Sequence, residues 1–111
     1  MAELRDVSVA EALELLASGA LLLDVRGQDE WEAGHAARAR HIALSEVPDH
    51  VDSLPHDQLI VTVCRSGARS ARAGQFLVEQ GFNVVNLDGG MLAWASADEP
   101  LASDSDTPSI I

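Results

Sequence analysis

The chain has 111 residues, with 18 acidic side chains against seven basic ones, all of them arginine, and a formal net charge of −11. This length predicts one domain, and with 47% hydrophobic residues the chain can bury a core without disulfides or metal. The acidic balance excludes binding that depends mainly on phosphate neutralisation, so we expect no nucleic-acid partner and no anionic membrane surface.

The first twenty residues do not have the composition of an export or transit signal, because four acidic residues stand there beside one arginine. We therefore expect a cytoplasmic protein. The single cysteine, Cys64, excludes an internal disulfide, a CxxC redox pair and a cysteine-rich zinc site. The four histidines show no HxxxH or HxH spacing, so we expect neither a metal nor a cofactor.

The first predicted elements are a helix and a strand. Apolar residues at helical spacing predict a helix over Ser8–Ala17, and Ser8 with Glu11 forms a capping-box pattern at its start. Gly19 ends this helix. The apolar run Leu21–Val25 has the length of a strand that is covered on both faces.

Residues 26–58 are less regular. The sequence predicts a short helix around Asp29–Ala33, a turn at Gly34, an extended piece near Ile42, and a loop containing Pro48 and Pro55.

The second half of the chain predicts a strand over Leu59–Val63, a helix over Ser70–Gln80 and a strand over Val84–Leu87. A last helix follows Gly89-Gly90. Strand, helix and strand in that order form a βαβ unit, which predicts an α/β fold with a mainly parallel sheet. The periodicity ends near residue 97, so we expect a domain over residues 1–101 and a flexible acidic tail over residues 102–111.

Cys64 is placed where reactive groups occur in such folds. It follows a predicted buried strand, and a short loop leads from it to a helix beginning near Ser70. Ligands of open α/β sheets bind at the carboxyl ends of the strands. Loop N–H groups and the helix N-terminus favour an anion there, and they lower the pKa of a thiol.

Local charge supports an anion site at this loop. No acidic residue occurs between Gln58 and Val78, whereas Arg65, Arg69 and Arg72 lie in that stretch. Arginine can grip an oxyanion such as a sulfonate through two hydrogen bonds. We interpret Arg65 and Arg69 as ligand groups and Arg72 as a solvated surface residue.

Four separated motifs in this order resemble those of the single-domain rhodanese, or rhodanese-like, sulfurtransferases. They are Asp24-Val25-Arg26, Glu30-Trp31-Glu32-Ala33-Gly34-His35, Cys64-Arg65-Ser66-Gly67-Ala68-Arg69-Ser70, and Asp88-Gly89-Gly90 with Trp94. The resemblance covers about residues 4–101. It implies a three-layer α/β domain in which helices flank a central, mainly parallel sheet.

The resemblance also implies a reaction. Cys64 would take the outer sulfur of an anionic donor such as thiosulfate, and the resulting persulfide would pass it to cyanide, to a thiol or to a sulfur-accepting protein. The implied donor-binding residues form the loop itself: Arg65, Ser66, Gly67, Ala68, Arg69 and Ser70. Asp24 and Arg26 would support the site, with Arg26 paired to Glu30, although we interpret both as ordinary fold-stabilising ions.

One segment departs from the family pattern. Arg38 stands where the family has a glycine, and we consider the hypothesis that Arg38 and Arg40 extend the positive rim of the site. The exclusive use of arginine and the heavy use of alanine suggest a bacterial genome rich in GC.

Two other classes of function remain open at this point. A cysteine phosphatase or arsenate reductase of related fold also uses a cysteine in a loop closed by arginine. Four residues separate Cys64 from Arg69, one fewer than in the phosphatase loop, and the smaller ring suits sulfur better than phosphate. The other class is a binding or sulfur-carrier module that uses the fold without catalysis.

Overall fold

Short strands alternate with helices along the chain in a computed structural model that describes residues 3–103 and 107–111. In chain order the elements are β1 (Arg5–Val7), α1 (Val9–Ala17), β2 (Leu21–Asp24), α2 (Gln28–Ala33), β3 (His35–Ala36), β4 (Arg40–His41), a 3₁₀ helix (Leu44–Ser53), β5 (Ile60–Val63), α3 (Ala68–Glu79), β6 (Val84–Leu87), α4 (Gly90–Ser96) and β7 (Leu101–Ala102).

The main sheet has the strand order β1-β6-β5-β2-β4, and its neighbouring strands are parallel. The expected mainly parallel sheet is therefore confirmed. β5 lies in the middle, with Val61 opposite Leu22 of β2 and Val85 of β6. All four residues of β5 are buried, which explains why its sequence is a continuous apolar run with one threonine.

Helices cover both faces of this sheet. Alternate residues of a strand point to opposite faces, so Ile60 packs with α3 and the 3₁₀ helix, whereas Val61 packs with α1 and α4. Leu77 of α3 and Trp94 of α4 lie in these two separate cores. The result is the expected three-layer α/β architecture.

Several element boundaries differ from the sequence predictions. β1 was not predicted, because Arg5 and Asp6 are exposed at the sheet edge and no apolar run marks the strand. The predicted loop containing Pro48 holds the 3₁₀ helix, which buries Val47. α3 begins two residues before Ser70, directly after Gly67, whose φ of +119° lies in the left-handed region.

The C-terminal segment returns to the domain. β7 pairs antiparallel with β3, the Ser109 N–H donates to the Ala33 carbonyl at 2.9 Å, and Ile110 packs against the core beneath α1 and α4. The domain limit at residue 101 and the flexibility of residues 102–111 stay predictions, and residues 104–106 lie outside the described part of the chain. No helix in the described ranges combines the length and the hydrophobicity that crossing a bilayer requires.

A buried ion pair lies at the carboxyl end of β2. Arg26 Nη2 donates to Asp24 Oδ2 at 2.8 Å and to the Gly34 carbonyl at 2.7 Å, and both charged side chains are fully buried. The expected pairing of Arg26 with Glu30 is therefore wrong. The Arg26 side chain turns into the protein, while the Glu30 carboxylate bonds to Arg69 instead.

This pair predicts a large effect of a nearly isosteric substitution. Asp24→Asn leaves the Arg26 charge buried without its counterion, so we expect the free energy of unfolding in urea to fall by about 3 to 5 kcal/mol. The matched control is Glu11→Gln, which breaks the exposed Arg5–Glu11 pair and costs no more than about 1 kcal/mol. Equal losses in the two variants would show that the buried pair does not support the fold.

Candidate active site

Cys64 lies at the carboxyl end of the central strand. It directly follows β5, and its residue surface is 1% exposed. The loop from Arg65 to Gly67 connects it to the N-terminus of α3, so the strand, loop and helix follow in the expected order with a shorter loop than predicted.

Hydrogen-bond donors converge on the Cys64 sulfur. The Gly67 N–H lies 3.1 Å from Sγ, and the Ser70 hydroxyl donates to Sγ at 3.3 Å. The Ser70 hydroxyl also lies 3.2 Å from the Gly67 carbonyl, so the side chain of the first turn of α3 spans the loop. These donors stabilise a negative charge on sulfur.

The balance of burial and hydrogen bonding lowers the pKa of Cys64 below its ordinary value. Burial acts in the opposite direction and raises the pKa, because it disfavours the charged form. The Ser70 hydroxyl and the N–H groups of Ser70, Gly67 and Ser66 together outweigh burial. The arrangement therefore favours a thiolate, which is the nucleophilic form of cysteine.

The first turn of α4 donates hydrogen bonds to two carbonyl groups at the beginning of the cysteine loop. The Met91 N–H donates to the Cys64 carbonyl at 2.8 Å, and the Leu92 N–H donates to the Arg65 carbonyl at 3.1 Å. A Cβ atom at Gly90 would clash with both carbonyl oxygens, and the φ of Gly90, +58°, also favours glycine. Glycine at position 90 therefore lets α4 approach the cysteine loop closely.

A buried amide holds the other end of the loop. Asn86 Nδ2 donates to the Gly67 carbonyl at 3.3 Å and to Asp6 Oδ1 at 3.1 Å, while its Oδ1 accepts the Thr62 hydroxyl at 3.2 Å. Sequence reasoning missed Asn86 and Thr62. The available signal was a single polar residue within each of two apolar strands, Thr62 in β5 and Asn86 in β6.

Arg69, the arginine that closes the loop, forms a bidentate pair with Glu30. The two hydrogen bonds measure 2.6 and 2.9 Å, and Glu30 is held in turn by the Gly27 N–H at 3.2 Å. The hydrogen bond from Arg69 holds the pKa of Glu30 below its usual value, although burial opposes it. Arg69 is therefore a positioned cation at the site, and its charge is shared with a carboxylate.

The remaining predicted loop residues are more open to solvent. Arg65, Ser66 and Ala68 are exposed, and the Arg65 Nε–H donates to the main-chain oxygen of Ile111 at 3.0 Å. Arg72 is also exposed, on the same side of α3 as Arg69.

The structure places Arg38 away from the positive rim, and it gives Arg40 a hydrogen-bond partner outside the cysteine loop. Arg38 donates to the Leu16 carbonyl near the end of α1, which lies at the opposite end of the sheet from Cys64 because α1 leads into the start of β2. Arg40 donates to the main-chain and side-chain oxygens of Ser53.

The Glu-aromatic-x-x-Gly-His motif organises the turn after α2. The His35 ring stacks on Trp31 with 3.6 Å between centroids, and its Nδ1 lies 2.7 Å from the Trp31 carbonyl. Within residues 3–103 and 107–111, no three His, Cys, Asp or Glu side chains are grouped so that they could hold a metal ion.

The hydrogen bonds at sulfur predict an alkylation profile. Because the pKa of Cys64 is lowered, its thiolate persists as the pH falls, and we expect the midpoint of iodoacetamide alkylation below about pH 8.5, the value of a free cysteine. Ser70→Ala removes one donor and should move the midpoint to higher pH. Ser66→Ala is the matched control, since no hydrogen bond of the Ser66 hydroxyl occurs in the described ranges. A midpoint that does not differ between wild type and Ser70→Ala would contradict the role of this hydroxyl.

Comparison with known proteins relates this geometry to a family. The sequence model of the rhodanese-like domain matches residues 8–97. Thiosulfate sulfurtransferase GlpE of Pseudomonas entomophila is 37% identical over 97 residues, which cover 86% of this chain and 89% of that protein. Thiosulfate sulfurtransferase 18 of Arabidopsis thaliana is 37% identical over 96% of this chain and 90% of its own. The crystal structure of a rhodanese-related protein from Thermoplasma volcanium superposes with a TM-score of 0.82 at 31% identity, covering 88% of this chain and 97% of that one. The chain belongs to the rhodanese-like domain family.

Proposed function

We propose that this protein is a sulfurtransferase that moves a sulfane sulfur from thiosulfate to a thiophilic acceptor through a persulfide on Cys64. The observation that carries the proposal is the set of N–H and O–H donors around the sulfur of a single buried cysteine. The names of the curated relatives GlpE and sulfurtransferase 18, both thiosulfate sulfurtransferases, support this choice of donor.

The first half-reaction is a displacement at sulfur. The Cys64 thiolate attacks the outer sulfur of thiosulfate, and a new bond forms between the two sulfur atoms. The bond from the outer sulfur to the sulfonate sulfur breaks, and sulfite leaves with its electron pair. The negative charge on the terminal persulfide sulfur then lies among the same donors that stabilised the thiolate.

Arg65 and Arg69 would guide the sulfonate group. Both belong to the stretch from Cys64 to Ser70. Arg65 is exposed and Arg69 is half-buried, so a small anion can approach either guanidinium group. Ser66, Gly67, Ala68 and Ser70 would contribute the loop that surrounds the transferred sulfur. Asp24 and Arg26 would act indirectly, because their buried pair fixes the end of β2 next to β5.

The second half-reaction returns the enzyme to its starting state. Cyanide, a small thiol or a sulfur-accepting protein would take the outer sulfur, and Cys64 would leave as a thiolate. No second cysteine exists in the chain, so the persulfide cannot be resolved internally as a disulfide. Because this chemistry needs a reduced thiol, we place the protein in the bacterial cytoplasm, in agreement with its composition.

Two features argue against the alternative functions. For a phosphatase or arsenate reductase, the loop is one residue short. A binding module without catalysis has no need of hydrogen-bond donors directed at the Cys64 sulfur, whereas a sulfur carrier would use the same persulfide and would differ only in its acceptor.

Intact mass spectrometry tests the proposal directly. After incubation with thiosulfate, we expect the mass to increase by one sulfur atom, and dithiothreitol should remove the addition. Cys64→Ser should abolish it, while Ser66→Ala, a change in the same loop that leaves the sulfur donors in place, should retain it. Absence of the adduct together with hydrolysis of an aryl phosphate would instead establish the phosphatase function.

A further inference from the structure

An apolar groove opens beside the cysteine loop. It has a volume of about 570 Å³ and lies between α3 and the 3₁₀ helix. Its apolar walls come from the segment after β2, the 3₁₀ helix with the residues before it, and α3: Val25, Leu44, Val47, Pro48, Ala73 and Phe76.

Part of the groove wall belongs to the same hydrophobic cluster as Cys64. The Val25 N–H donates to the Val63 carbonyl at 3.0 Å, and Val63 is the residue before the cysteine. Arg69 belongs to both places, because it closes the cysteine loop and also lines the groove. The negative charge of a Cys64 thiolate raises the pKa of Arg69, after the larger effect of its hydrogen bond to Glu30. The groove therefore adjoins the loop that holds the Cys64 sulfur.

One positive charge of the groove has no carboxylate partner among the residues that the structure describes. Arg69 is paired with Glu30, but no carboxylate in residues 3–103 or 107–111 lies within 4 Å of the guanidinium of Arg72. Arg72 follows Arg69 by three residues and so lies on the same side of α3. An uncompensated arginine at the rim of an apolar groove fits a ligand with an anionic group at the end of an apolar body.

Thiosulfate and cyanide do not need such a groove. Both are small and charged, whereas the volume falls in the range of about 300 to 1,000 Å³ typical of sites for organic molecules. Thiosulfate also has its own binding surface in the cysteine loop under the proposed function. The reactant left to occupy the groove is the sulfur acceptor.

We propose that the groove binds the acceptor as an aliphatic thiol with a terminal carboxylate, its chain on the apolar wall at Phe76 and its carboxylate at Arg72. This inference rests on the proposed sulfur transfer and specifies the acceptor. In the step, the acceptor thiolate attacks the outer sulfur of the Cys64 persulfide. The bond between that sulfur and Sγ breaks, Cys64 leaves as a thiolate, and the acceptor becomes a persulfide anion, so that charge and atoms balance.

Single-turnover kinetics with a graded thiol series tests the groove. The protein is first loaded with sulfur from thiosulfate, and loss of the persulfide is then followed with mercaptopropionate, mercaptobutanoate, mercaptohexanoate and the neutral mercaptohexanol. We expect the second-order rate constant to rise about twofold to fourfold for each added methylene, as burial of hydrocarbon predicts. Mercaptohexanoate should react about threefold to tenfold faster than mercaptohexanol, because of its attraction to Arg72.

Variants separate the charge of the groove from its shape. Each rate constant is divided by that for cyanide in the same variant, which gives an internal reference for the reactivity of the persulfide. Arg72→Gln should remove the preference for mercaptohexanoate over mercaptohexanol, and Arg72→Lys should retain it. Arg38→Gln removes the same charge at the opposite end of the sheet and is the matched control. Ser45→Phe places a ring in the groove and should abolish the dependence on chain length.

The outcomes distinguish this inference from the function on which it rests. If the persulfide forms and reacts with cyanide, but the thiols of different length react equally fast, the groove does not bind the acceptor. Retention of the carboxylate preference in Arg72→Gln would also overturn it. If no persulfide forms at all, the proposed sulfur transfer itself is wrong.

Discussion

The cysteine loop can point its N–H groups at sulfur only if its carbonyl oxygens are satisfied elsewhere. A short loop whose carbonyls faced the sulfur would repel a thiolate rather than stabilise it. Here the carbonyls of Cys64 and Arg65 accept hydrogen bonds from the first turn of α4, and the Gly67 carbonyl accepts one from the side-chain amide of Asn86. The polarity of the site is thus imposed by two neighbouring elements, and the geometry of β6 and α4 matters to the chemistry as much as the loop sequence does.

The range over which charges act reconciles the overall charge with the anionic sulfur donor that we propose. A net charge of −11 acts over long range and disfavours polyanions and anionic surfaces. At the site, the partial charges of N–H groups and the local arginines act over a few ångströms, where they decide the binding of a small ion. The carboxylate of Glu30 moderates this local field and at the same time fixes Arg69 in place.

The features that could be predicted from the sequence are those encoded locally. β2, β5 and β6 are apolar runs, α1 and α3 have helical periodicity, and the thiol loop is a continuous motif, so each could be recognised within a short window. The pairing of Arg69 with Glu30 joins residues 39 positions apart, and that of Asn86 with Gly67 joins residues 19 apart. Such contacts depend on which strands become neighbours. The Arg26–Glu30 pair that the family resemblance implied failed for this reason: Glu30 pairs with the distant Arg69, and the buried Arg26 pairs with Asp24. The apolar groove between the 3₁₀ helix and α3 could not be predicted either, since these two elements are far apart in the chain.

The dependence of the loop on α4 has a consequence for the newly made chain. During synthesis, Cys64 leaves the ribosome well before Asn86, Met91 and Leu92, which hold the loop carbonyls in the finished fold. Until those residues have emerged and packed, nothing fixes the direction of the loop peptides, and the thiol has the ordinary reactivity of a cysteine in an unfolded peptide. Cys64 therefore gains its lowered pKa only in a completed domain, and an unfinished or locally unfolded chain carries a thiol of ordinary reactivity.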